Sequence, residues 1–268
     1  MPTYLPSSVS ALICGLLFVS CGRTDVDNRN QRLLLEPARV PEVETLHYRI
    51  VIAGIEVGTR LQATDTTTLN LTVPAFSVMT VDRVRLGNVE QADSTIVQMS
   101  RDSLFPVAAF RFLRKGPLLV TAAALFRQAN TAGATGSVGI TTYEEGTGEV
   151  CRALPFGAGR KGCGELSLLG WLGRAIALAT GQEDELLCAW LLSEPPGGAV
   201  LLVRVRSDGE ETVTVPAGSF ECKRMQFVIG GADTLRCWYA IAGTHQMIRS
   251  QSSTGELVEL VELVNRRP

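Results

Sequence analysis

The stretch that decides the fold is LHYRIVIAGIEVGTRLQAT, residues 46–64. Leu46, Tyr48, Ile50 and Ile52 alternate with His47, Arg49 and Val51. A period of two places one set on a buried face and the other on a wet face of a β-strand. Gly54 and Gly58 flank the next step, and Thr59 to Thr64 alternates again. Such runs with turn residues between them read as successive strands of an antiparallel meander.

Outward from this stretch the same texture recurs. Further strands are expected at 68–73, 78–86, 95–99, 107–113, 118–127, 137–143 and 149–154. After a gap they resume at 186–192, 200–206, 211–215, 220–229, 234–241, 247–252 and 256–264. Short strands with turn residues between them predict a mainly β protein. Its sheet would be curved and antiparallel, a half-barrel to a barrel. One segment breaks the pattern. Residues 165–180, ELSLLGWLGRAIALAT, place Leu166, Leu169, Leu172 and Ile176 on one helical stripe, widened by Leu168, Trp171 and Leu178. A helix apolar on most sides is buried, so this one is expected to plug or cover one mouth of the curved sheet.

The N-terminus reads as an export signal over residues 1–20. Val9 to Val19 is an apolar run too short to span a bilayer. Ser20-Cys21-Gly22 follows and resembles a bacterial lipobox, which implies acylation of Cys21. Two or three acyl chains would anchor the protein to a membrane. Gly22, rather than Asp, after the cysteine points to the outer membrane, with the protein facing the periplasm. Residues 21–44 are polar, carry Pro37 and Pro41, and read as a tether; the LLL at 33–35 is expected to dock on the domain. The β-domain then occupies 45–268.

Composition limits what such a domain does. Of 268 residues, 25 are Lys or Arg and 27 are Asp or Glu, a formal net charge of −2. Nucleic-acid binders need a basic face, so that class is set aside. Gly157 to Gly162 matches G-x-G-x-x-G, but Pro155 and the surrounding β pattern contradict a dinucleotide fold. The histidines are His47 and His245, and no C-x-x-C pair occurs, so neither a metal set nor a catalytic triad is assembled. The protein is therefore expected not to be an enzyme and to need no cofactor.

Seven cysteines include Cys14 in the signal and Cys21. The remaining five leave at least one unpaired thiol. Cys151 and Cys163 enclose a Gly-rich loop and form the candidate disulfide. With Gly230 to Asp233 as the turn, Cys222 would face Ile241 and Cys237 would face Gln226, which separates the sulfurs too far for a bond.

The most distinctive string is VTVPAGSFEC at 213–222, followed by a GG turn and CWYA at 237–240. With LHYRIVIAGIEVGT, DSTIVQMSRDSLFPVAAFRF and VCRALPF it resembles the bacterial "domain of unknown function 3108" family. The resemblance implies an exported envelope protein with a curved antiparallel sheet, similar to the lipoprotein-localisation carriers. It implies no catalytic residues. A concave sheet with a greasy helix near its mouth suggests a lipid or other apolar ligand, lined by Leu169, Trp171, Leu172, Ile176 and Trp238. The alternative is a scaffold lipoprotein that binds another envelope protein through a free sheet edge.

Overall fold

The structure is a computed structural model. It describes residues 34–69, 73–128, 136–156, 161–193 and 196–264. The signal, Cys21 and the first part of the tether lie outside the described residues.

Among the described residues fifteen strands form one sheet. The first eight walk one way from the centre: β1 (Glu44–Ile52), β2 (Ile55–Leu69), β3 (Val73–Leu86), β4 (Val89–Ser100), β5 (Pro106–Lys115), β6 (Leu118–Arg127), β7 (Gly136–Glu144) and β8 (Gly148–Phe156). The chain then crosses to the opposite edge and walks back through β9 (Lys161–Cys163), β10 (Glu183–Trp190), β11 (Ala199–Val215), β12 (Gly218–Ile229), β13 (Asp233–Ala240), β14 (Met247–Ser252) and β15 (Glu256–Val264). The last strand lands beside β1. Every neighbouring pair is antiparallel except β9 with β10. The two edge strands, β8 and β9, are consecutive in sequence, so a short connection pulls the edges together and the sheet curls into a nearly closed barrel. Packing seals the seam where the ladder does not: a Cβ at Gly162 would overlap the Phe156 ring, and Gly198 lies against Ile140.

The first two strands form a hairpin in which Ile52 pairs with Ile55 across Ala53 and Gly54, both at positive φ. Elsewhere the sequence divides strands too finely. Residues 59–64 and the start of the run 68–73 lie in the single strand β2, and Val73 opens β3, which pairs with β2 from Gly58–Val84 to Leu69–Val73; residues 70–72 of that run lie outside the described residues. The expected helix at 165–180 is shorter. A 3-10 turn at Leu166–Leu168 leads into α1 (Leu169–Leu172) and a second 3-10 turn at Gly173–Ala175. Ile176 is already extended and bridges Leu35.

This helical segment does not cap the barrel; it fills it. Leu168, Leu169, Trp171, Leu172, Ala175 and Ile176 are all buried. Its two ends are tied to opposite walls. Glu165 caps the first turn through Ser167 N at 2.6 Å and pairs with Arg111 of β5 at 2.9 Å. Trp171 Nε1 donates to Thr64 Oγ1 of β2 at 2.9 Å. Tyr239 Oη of β13 donates to Leu169 O at 3.4 Å. Tyr239 also passes so close to the backbone that a Cβ at Gly173 would overlap its hydroxyl. The later part of the tether joins the packing. Glu36 N donates to Ala175 O, Ala177 N donates to Leu34 O, and Leu35 is buried.

The β12–β13 register is one residue off the expectation. Cys222 pairs with Ala240 and Cys237 pairs with Met225. A one-residue slip exchanges the faces of a strand, so the two cysteines project from opposite faces. β11 adds a second exchange, because a bulge between Ser207 and Gly209 inserts one residue. Beyond it, Val213 and Val215 share the outer face with Glu211 and Cys222. The hairpin tip folds across β14 and β15, where Arg249 Nη2 donates to Thr214 O and Ala217 N donates to Leu260 O.

Candidate functional site

The site lies where the end of the plug meets the docked tether. Arg174 is enclosed between them, with its side chain fully buried. Its Nη1 donates to Glu44 Oε2 at 2.6 Å. Glu44 is held in turn by Thr244 Oγ1, which donates to Oε1 at 2.9 Å. The other edge of the guanidinium, Nε and Nη2, has no hydrogen-bond partner among the described residues. A buried Arg N–H without a partner is costly, and the Nε/Nη2 fork is the edge that takes a planar anion with two parallel bonds.

That edge belongs to a residue on the wall of a pocket of about 200 Å³. The 3-10 turn Pro37–Arg39 supplies Arg39, β12 supplies Lys223 and Met225, and β13 supplies Tyr239 and Ala240. Ile176, Ile241 and His245 complete the apolar and loop sides, and Glu210 is the carboxylate on the wall. His245 sits at φ +51° with Nδ1 3.1 Å from Ala240 O. Lys223 Nζ donates to Leu178 O, and Arg39 pairs with Glu36. Burial, and then the Arg39 charge, hold the Lys223 ammonium below its ordinary range, against a smaller upward pull from Glu210 and Glu36. Three cations thus line one small half-apolar hollow, a charge arrangement that an anion would relieve.

The residues expected to line a ligand are placed as follows. Leu169, Trp171, Leu172 and Ile176 come together inside the barrel, where the first three are packed core and Ile176 also touches the pocket. Trp238 does not join them. It lies on the outer face, donating from Nε1 to Glu211 Oε1 at 2.8 Å beneath Arg249. The one-residue register difference is the reason. The Cys151–Cys163 disulfide is absent: Cys151 is an exposed free thiol on β8, while Cys163 is a buried one on β9, pointing its thiol at Glu165 O. Among the described residues no cluster of His, Cys, Asp and Glu is placed to hold a metal ion, and no helix is long and apolar enough to cross a membrane.

Arg39, Arg174, Lys223 and His245 carry no motif, so periodicity passed over them. Arg174 did leave a signal: it is the charge inside the apolar run 166–180. A charged residue in a helix read as buried must have a partner or a task.

Comparison with known proteins is sparse. No family model matches the chain, and no curated protein matches it. The resemblance to the domain of unknown function 3108 is therefore not sustained; its strongest piece, V-P-A-G-x-F-x-C at 215–222, belongs to one local hairpin. Solved structures similar in outline include the following two. One is a β-barrel-like protein of domain of unknown function DUF1849 from Brucella abortus, at 11% identity, covering 84% of this chain and 98% of that one with a TM-score of 0.49. The other is a protein of YmcC-like fold from Bacteroides fragilis, at 10% identity, covering 87% and 100% with a TM-score of 0.36.

Proposed function

We propose that this is an exported envelope protein, lipid-anchored through Cys21, that binds a small anion in the pocket beside Arg174. The ligand class is a carboxylate or phosphate, free or as the head of a larger amphiphile. The observation that carries this reading is the unpaired Nε/Nη2 edge of a fully buried arginine that lines one pocket with Lys223 and Arg39. The packed interior argues against a whole acyl chain held within the barrel, because Leu168, Leu169, Trp171 and Leu172 already occupy it. A pocket of about 200 Å³ is below the usual size of drug-like sites, roughly 300–1,000 Å³, and suits a head group.

The test is calorimetric titration of the purified domain with inorganic phosphate, acetate and hexanoate. Saturable binding of at least one, weakened tenfold or more in Arg174→Lys and in Lys223→Met with the circular dichroism spectrum unchanged, supports the reading. Equal affinity in the folded variants, or no binding of any of the three, removes it. Anchoring is tested separately, by labelled palmitate incorporation that Cys21→Ala abolishes.

A protein-binding role has its own observation. Phe112, Leu119, Leu125 and Tyr143 are exposed, and the strand register places them on one outer face of β5, β6 and β7. Crosslinking in the native membrane to a single protein partner, lost in Phe112→Ser, is what that role requires.

A further inference from the structure

Two of the five cysteines are direct neighbours. Cys163 ends the edge strand β9 and pairs in register with Cys188 of β10, in the sheet's parallel ladder. Adjacent strands run about 4.8 Å apart, and a disulfide needs Cα atoms roughly 4.4–6.8 Å apart. Both side chains are buried, at 1% and 0% exposure, so both lie on the covered face of this edge. The Cys163 thiol is near enough to raise the pKa of Cys188, and both are free thiols in this structure.

The other cysteines offer no comparable pair. Cys151 lies exposed on β8, at the far edge of the ladder, beside Thr141 and Glu149. Cys222 and Cys237 point from opposite faces, three ladder steps apart. Neither has a second sulfur across the strand.

We infer that Cys163 and Cys188 are the disulfide of this protein, formed during folding. The bond closes residues 163–188 into a loop that contains the whole helical plug. It also fastens β9 to its sheet neighbour. Without it, three residues of backbone pairing hold that edge strand to β10. In forming the bond the two thiols give up two protons and two electrons. A thiol–disulfide exchange reagent accepts them, its own disulfide becoming two thiols through a mixed-disulfide intermediate. Burial raises the Cys188 thiol well above its ordinary range, so the folded pair is a poor nucleophile. Exchange therefore precedes the docking of β9. This inference is independent of the anion pocket and of the membrane anchor.

The test uses the reduced, denatured chain refolded in a glutathione redox buffer. The product is alkylated with iodoacetamide and digested with trypsin without reduction. Each of the five cysteines falls in a separate tryptic peptide, with Cys163 in 162–174 and Cys188 in 175–204. The expected product is these two peptides joined, with Cys151, Cys222 and Cys237 alkylated. Refolding Cys188→Ser should leave Cys163 alkylated rather than paired elsewhere. Alkylation of both Cys163 and Cys188 in the folded wild-type chain overturns the inference, as does a bond from either to Cys151.

Discussion

Arg174 and Glu44 meet inside the barrel at 2.6 Å, from positions 130 residues apart in the chain. The pair joins the end of the plug to the first residue of β1. Both partners are cut off from water, at 0% and 2% side-chain exposure. Removing one partner of such a pair leaves an uncompensated charge, which typically costs about 3–5 kcal/mol. Glu44→Gln is expected to destabilise the domain by about that much, read as a lower urea midpoint at unchanged slope. A bound anion at the free edge of Arg174 should return part of the loss, so phosphate should raise the midpoint more in Glu44→Gln than in wild type.

Gly173 is fixed by sterics rather than by its own backbone angles. It is helical, yet a Cβ there would overlap Tyr239 Oη. Gly173→Ala should therefore destabilise by about 1–3 kcal/mol through overpacking, although alanine favours helix. Adding Tyr239→Phe should recover part of this by removing the hydroxyl. Urea denaturation of the three variants measures the coupling; simple additivity would refute the contact.

Lys223 gives the pocket an alkaline signature. Its folded pKa lies below the ordinary 10.5 because of burial and Arg39. The unfolded chain therefore binds more protons in this range, and stability rises as pH climbs through the folded pKa towards 10.5. Anion affinity should move the other way, falling over the same window as the ammonium discharges. Nearby buried thiols do not mimic it, since burial lifts Cys222 to about 11 and Cys237 to about 12. Anion titrations from pH 8 to 10.5 should show this fall in wild type and not in Lys223→Met.

Glu211 gives the outer face an acid signature. The Trp238 Nε1 hydrogen bond lowers its pKa below 4.5 against the upward push of burial, and Arg224 and Arg249 lower it further. A lowered carboxylate stabilises above its unfolded pKa and loses that contribution as pH falls through its folded value. Glu211→Gln should flatten the stability–pH profile below about pH 4.5 while leaving anion binding unchanged. Trp238 fluorescence should report the same transition.

The β character of the chain was legible because alternation is local. Leu46, Tyr48 and Ile50 declare a buried face with no reference to the rest of the molecule, and the structure buries all three. The plug was legible as a buried apolar segment. Its early end at Ala175 was not, because Ile176 leaves the helix to pair with Leu35, a contact between distant segments. The faces of β11 to β13 were not legible either. Val203 and Val205 before the polar stretch 207–211, and Val213 and Val215 after it, all fall on odd-numbered positions. The bulge at Ser207/Gly209 turns Val213 and Val215 to the opposite side, and a one-residue change in the next turn moved Trp238 off the inner face.

The amino-acid sequence by itself determined that this chain builds strands and buries an apolar helical segment. These follow from the period of the side chains and the solvent preference of each. Tertiary structure alone decided that the plug fills the barrel, that Arg174 keeps one edge free beside Lys223 and Arg39, and that Cys163 meets Cys188. The reason is physical: each depends on strand register and chain crossing, which are set by long-range packing free energy and leave no periodic trace in the chain.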